Sequence, residues 1–412
     1  MLEILFMTLF MVVLIDYIKI VNCLIVLFIF SLLKIVDCGF SLLKLMMILL
    51  SIWLVCMMFM SVNETDFSFS LSLIFMFLLL SLEVTFLSDY MIYFYIGFEM
   101  SVLPILIIIM GWGYQPDRME AGMYMLLYTV FFSLPLLVGI YYFNYLVNIY
   151  MLTVLMFVMS FLAKFPMFGI HLWLPRAHVE APVFGSMILA GVMLKLGGYG
   201  LIKVSYLLGD FIYLYCKVFI IYSIFGGIIL SFICFMQADM KLLVAYSSIV
   251  HMSLVLSSLL TLKEIGLKGS IFMMIGHGLC SSGLFCVLGY TYNRTHTRSI
   301  FFNKGLISIS PLASLWWFLF CSSNLSFPPC LNLSGELFLF ICILSWENFF
   351  FILLAVLSTV SSLYSIYLFS FTQHGQSVNL YSFNNFTVFE SLSLLLHWVP
   401  LNVLILDLSI FF

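Results

Sequence analysis

Six ionisable side chains stand inside long apolar runs: Glu99 within 90–111, Lys164 within 152–174, Lys195 within 183–206, Glu336 within 327–345, His251 within 243–261 and His277 within 267–290. The first four fall near the middle of their runs. Even on the low estimate, a lone charge at the centre of a bilayer costs about 2.5 to 3.5 kcal/mol, so such groups must face the protein interior and pair, or lose their charge. Two acids and two bases make a balanced set. Apolar residues of equal volume often hold helices together as well as buried ion pairs do. The chemistry these residue types point to is therefore proton exchange, because burial disfavours the charged form of lysines and carboxyls alike and brings both toward exchange near neutral pH. His251 and His277 extend the set with imidazoles that take up and release protons in that range, and Ser247, Ser248, Ser281 and Ser282 beside them are candidates for ordering water. The alternative is structural: salt bridges that fix helix register, and histidines that serve as hydrogen-bonded packing residues.

Two of the charges sit beside helix breakers. In Ala163-Lys164-Phe165-Pro166 the proline lacks an N–H and frees backbone groups two residues from the lysine. In FPPCLNLSGE (327–336) two prolines, a glycine and two polar side chains precede the acid. Interrupted helices at membrane depth are tolerated where they are buried in protein or line a wet cavity, and in transporters they mark ion paths. His171 and His178 flank Pro175, a spacing that is weak evidence for a metal, and none is expected there.

The elements that position these residues follow from composition. Of 412 residues, 65% are hydrophobic and only 8% charged, with 18% aromatic. A soluble domain carries about a quarter charged residues, so the apolar excess must face lipid. Apolar runs recur from 4–17 to 388–411, and at about 20 residues per crossing the chain is an all-α polytopic membrane protein of about 13–15 transmembrane helices. The opening run lacks a basic region and a small-residue cleavage site, and is read as a first span rather than a removable signal. A net charge of −3 gives no footprint for nucleic acid. Ten scattered cysteines without a C-x-x-C read as small apolar packing residues. Gly111-Trp-Gly-Tyr-Gln-Pro fails as a dinucleotide loop, there is no Walker loop, and no redox centre is visible, so the drive for a proton path must come from an ion gradient or a partner. The polar loops Gly111–Glu120, Pro175–Pro182, Gln237–Lys241 and Tyr292–Lys304 alternate onto one side. That side carries Arg118, Arg176, Lys241, Arg294, Arg298 and Lys304, against chiefly Lys217, Lys263 and Lys268 on the other. The positive-inside rule makes the first side cytoplasm-like or matrix-like.

LWLPRAHVEAPVFGSMILAGVMLKLGGYG (172–200), QADMKLLVAYSSIVHM (237–252), MIGHGLCSSGLF (274–285) and NLSGELF (332–338), with GWGYQPDRMEAGMY (111–124) and AKFPMFGIHLWLP (163–175), occur in this order. In these segments the chain resembles the chain 4 family of mitochondrial NADH:ubiquinone oxidoreductase, respiratory complex I, over about 90–375. The resemblance implies an antiporter-like fold with two broken helices and three regions: N-terminal transmembrane helices (1–89), a proton-translocating core (90–375) and a C-terminal helix region (376–412). It makes Glu99 the acid that pairs with Lys164, Lys195 the central lysine and Glu336 the terminal charged residue of the second broken helix. It implies a subunit of a proton-translocating NADH:ubiquinone reductase in the mitochondrial inner membrane, with no cofactor of its own. NADH, FMN, iron–sulfur clusters and ubiquinone are then expected in partner subunits. Its neighbours would be other membrane-arm subunits, including antiporter-like ones, and lipids such as cardiolipin. Departures are Ala238 in place of the more usual threonine and a short link between the runs 119–146 and 152–174. Abundant Phe, Met, Leu and Ile fits an AT-rich organellar genome. Two rival readings are a stand-alone or Mrp-type cation/proton antiporter and a structural membrane scaffold.

Overall fold

In a computed structural model the described residues are 2–12, 17–37, 42–62, 67–142, 150–376 and 384–408. The chain opens with α1 (Leu2–Met11), α2 (Tyr17–Asp37), α3 (Leu42–Ser61) and α4 (Phe69–Leu87). Next come α5 (Met91–Met100) and α6 (Val102–Trp112), which together make one crossing, and α7 (Arg118–Tyr141). The centre is built from α8 (Tyr150–Lys164), α9 (Trp173–Glu180), α10 (Val183–Ile188), a π-turn (Leu189–Met193), α11 (Leu194–Phe235), α12 (Met240–Leu259) and α13 (Glu264–Thr295). The rest is α14 (Leu306–Ile309), α15 (Pro311–Asn324), α16 (Leu331–Trp346), α17 (Phe350–Gln373) and α18 (Val388–Val403). Among the described residues nine segments are long and apolar enough to cross a membrane, two of them, Val183–Leu207 and Cys216–Phe235, on the stretch that includes α11. Four shorter apolar helices add to these. The all-helical polytopic reading stands.

The run 4–17 is the exception. α1 has 10 residues, about 15 Å of helix against a hydrocarbon core of about 30 Å. Its Thr8 hydroxyl instead lies 2.9 Å from Glu83 of α4. Residues 13–16, the short link over 143–149, Cys38 and parts of 376–412 lie outside the described residues. The nine described cysteines are free and carry no disulfide.

Which helices meet lipid follows from their burial. The crossing windows of Val183–Leu207 and α13 are each 94% buried and that of α12 is 89%, whereas α7 is 28% and α17 33% buried. Large apolar side chains such as Phe131, Phe318 and Ile352 face outward, as a lipid solvent requires. The centre is therefore where polar groups can be sheltered, and it carries Lys195, His251 and His277.

Both expected breaks are present. Past Lys164 the chain turns through 165–172 before α9, and the amide of Met167 reaches back to the Leu162 carbonyl. The Trp173 indole donates to the Ala163 carbonyl at 2.9 Å, supplying a donor to a carbonyl that the break leaves without its helical one. At the second break, between α15 and α16, the Asn332 amide donates to the Ser323 carbonyl at 3.0 Å. Here α16 lies against α13 so closely that a Cβ on Gly335 would stand 2.9 Å from the Met273 amide nitrogen and 3.1 Å from its Cα. Backbone cannot swing aside. Gly335→Ala is expected to destabilise by about 1–3 kcal/mol, read as a lower melting temperature of the detergent-purified protein. An unchanged melting temperature would show that the two helices part at no cost.

The loops gather as the alternation predicts. Arg298 donates to the Val179 carbonyl at 2.9 Å, Lys241 to the Ala181 carbonyl at 3.0 Å, and Arg176 to Glu120 at 2.9 Å. A β-bridge joins Asp239 to Ser299. The opposite end is tied by Lys217–Glu347 at 3.0 Å and by Lys263 to the Ser345 carbonyl at 2.6 Å. Lys44 hydrogen-bonds Asp89 between α4 and α5 and holds that exposed carboxyl below its ordinary range.

Candidate functional site

The sequence-selected residues fall into two groups. The first forms where α8 meets α5. Lys164, the last residue of α8, is buried, and its ammonium donates to the Phe98 carbonyl at 2.5 Å while lying 3.1 Å from the centre of the Phe98 ring. Carbonyl dipole and ring quadrupole together replace part of the water that burial removes. Glu99 is the next residue along α5, partly buried, with Oε1 shut off from solvent and without a hydrogen-bond partner. It lies within electrostatic reach of Lys164. The expected direct Glu99–Lys164 ion pair is not closed: the ammonium is satisfied by the residue before the acid.

The second group is a row through the centre of the molecule. The Lys195 ammonium donates to the Ala190 carbonyl at 2.5 Å and lies 3.0 Å from Nδ1 of His277. The π-turn at Leu189–Met193 presents that carbonyl. π-Turns often mark functional positions in helices, and nothing in the residue pattern announced this one. The His277 ring stands 5.6 Å, centre to centre, from the His251 ring. His251 Nδ1 is 3.3 Å from Glu336 Oε1, and its Nε2 is 3.4 Å from the Tyr364 hydroxyl. Glu336 lies on α16 shortly after the second break. There Asn332 keeps Oδ1 unpartnered, at 2.3 Å from where a Cβ on Gly276 would be, so Gly276 makes room for the amide beside His277.

Four residues on four helices, Lys195, His277, His251 and Glu336, are thus brought into one line. Among the described residues no direct hydrogen bond links Lys164 to Lys195. Gly197 packs against Phe165, the residue after Lys164, with a Cβ position 2.8 Å from the Phe165 amide nitrogen, so α11 passes directly over the break. The serines differ from expectation in one respect. Ser247, Ser248, Ser281 and Ser282 donate to carbonyls of their own helices, which leaves their oxygens as acceptors only. Tyr364 and the buried His178 and Lys241 were not singled out as relay members. Tyr364 is one of many tyrosines, His178 sits in a loop motif and Lys241 at a span end, where side chains commonly reach solvent. No trio of His, Cys, Asp or Glu among the described residues is arranged to hold a metal ion.

Two interrupted helices thus flank a row that runs from a lysine through two imidazoles to a carboxyl, inside a polytopic all-helical membrane fold. Residues 88–362 match the family described as NADH:quinone oxidoreductase/Mrp antiporter. Proteins named NADH-ubiquinone oxidoreductase chain 4 are similar over most of their length. The one from Ceratitis capitata is 46% identical over 386 residues, covering 89% of this chain and 86% of the relative. That from Aedes aegypti is 50% identical over 326 residues, covering 76% and 73%. A chain of respiratory complex I from Thermus thermophilus shares the fold with a TM-score of 0.87, at 17% identity, over 97% of this chain and 93% of that one. The chain belongs to the NADH-ubiquinone oxidoreductase chain 4 family.

Proposed function

We propose that this chain is the proton-translocating membrane-arm subunit of a mitochondrial NADH:ubiquinone oxidoreductase, carrying protons across the inner membrane along Glu99, Lys164, Lys195, His277, His251 and Glu336. The observation that carries this is the line from buried Lys195 through His277 and His251 to Glu336, which contains more titratable groups than helix packing requires. Family membership supports the assembly: NADH, FMN, iron–sulfur clusters and ubiquinone are carried by partner subunits, and neighbouring antiporter-like subunits and lipids, cardiolipin among them, surround the chain. The region 90–375 is the translocating core, flanked by 1–89 and 376–412.

The drive comes from quinone reduction elsewhere in the complex, which shifts Glu99 relative to Lys164. When the carboxylate swings away, the ammonium loses the charge that favours its protonated form and releases its proton through water toward Lys195. Lys195 passes a proton to Nδ1 of His277, His277 releases one through bridging water to His251 on its Nε2, Tyr364 side, and His251 Nδ1 gives one to Glu336. Moving one charge against the membrane field costs about 2.3 kcal/mol per 100 mV, and one pKa unit is worth about 1.36 kcal/mol. Opening or closing one buried ion contact is therefore on the right scale. The test is purification of the native assembly by a tag on this chain. Flavin and iron–sulfur absorbance, with rotenone-sensitive NADH:ubiquinone reduction that acidifies one side of a vesicle, is the expected result. A chain that purifies without them and exchanges cations for protons would replace this reading with that of a stand-alone antiporter.

A further inference from the structure

A cleft of about 350 Å³ opens at the cation-rich end, lined by Asp117, Glu120, Ala121, Arg176, Val179, Glu180 and Leu242. At its mouth Arg176 and Glu120 form an exposed ion pair, and Asp117 is exposed. Glu180 differs from both other acids. It is 8% exposed, and its Oε2 is buried without a hydrogen-bond partner. Two cations are held by the backbone on either side of it, Arg298 on the Val179 carbonyl and Lys241 on the Ala181 carbonyl. Arg298, Asp117 and Lys241 are the charges in electrostatic reach of the Glu180 carboxyl.

Two residues before Glu180 on α9 stands His178. It is fully buried, stacked flat on Phe285 with ring centres 4.7 Å apart, and neither ring nitrogen has a hydrogen-bond partner. Lys241 and Lys195 are the charges within its electrostatic reach. Buried polar atoms are nearly always bonded to protein or to ordered water. The orphan atoms of Glu180 and His178 therefore mark places for water between the cleft and the row.

We propose that Glu180 is the proton port of the row: it exchanges protons with water in the cleft and, through His178, with Lys195. The inference rests on the translocating function above. In the inward step the Glu180 carboxylate takes a proton from a hydronium ion, leaving water. It then gives that proton through bridging water to one nitrogen of His178, whose other nitrogen releases a proton toward Lys195. No charge is left behind on either residue. Glu120 is already tied to Arg176 and Asp117 stays in solvent, so neither reaches the interior.

The experiment uses the assembled complex in vesicles, with Glu180→Gln, Glu180→Asp and, as reference, Lys195→Met. Glu180→Gln is expected to lower NADH-driven proton translocation near neutral pH about tenfold, and Glu180→Asp to restore most of it with a displaced pH profile. Normal translocation in Glu180→Gln, or equal losses in both Glu180 variants with unchanged pH profiles, overturns the port. If the glutamine variant does not assemble, the aspartate variant decides. A displaced profile supports the port and an unchanged one rejects it. Normal translocation in Lys195→Met would instead overturn the row itself, so the two failures are distinguishable.

Discussion

Lys195→Met is expected to leave the complex assembled and to lower NADH-driven proton translocation more than about tenfold. Methionine matches the length and much of the volume of the lysine stem, so the packing of a fully buried position is largely kept. What disappears is the group between the Ala190 carbonyl and His277, and with it the entry to the row. The Ala190 carbonyl is left without its side-chain donor, at a cost of about 1–3 kcal/mol. The measurement is dye-reported acidification of vesicles against the rate of NADH oxidation. A methionine variant that translocates normally would show that Lys195 only holds helices together, as a scaffold requires.

The second large effect is expected at Lys164. Lys164→Ala should abolish translocation in a complex that still assembles, since the row loses its link to Glu99. Alanine leaves a cavity above the Phe98 ring, so Lys164→Met is the companion variant that keeps volume, and the two should fail alike. Separation of the two, with methionine active and alanine inactive, would mean that bulk rather than the ammonium matters at this site. Full translocation in an assembled Lys164→Ala complex would remove the residue from the path altogether.

Much of this was legible from residue types and depth. A charge in the middle of an apolar run has so few tolerable environments that Lys195, Lys164, Glu99 and Glu336 identify themselves, and the prolines beside two of them locate the breaks. His251 and His277 were readable as imidazoles inside apolar runs, but their placement between Lys195 and Glu336 was not, because it depends on how α12, α13 and α16 cross. The Glu99–Lys164 pairing is what the family resemblance implies; that the Phe98 carbonyl and ring hold the ammonium is visible only once α5 and α8 meet. Nor does sequence reveal the π-turn before Lys195, which depends on the packing of three helices around Gly191 and Gly278, where a Cβ on Gly191 would meet Leu54 at 2.3 Å. Glu180 and Lys241 look like ordinary span-end charges until the fold closes loops from four parts of the chain over them.

The berth of Lys164 on Phe98 has a consequence for timing. A backbone carbonyl accepts a hydrogen bond from an amine as well as from an ammonium, so on the proposed path the side chain would keep its post after giving up a proton and would not need recapture before the next cycle. On that path anchorage and electrical tuning would fall to different neighbours: Phe98 holds the nitrogen in place, and Glu99 supplies the charge that acts on it.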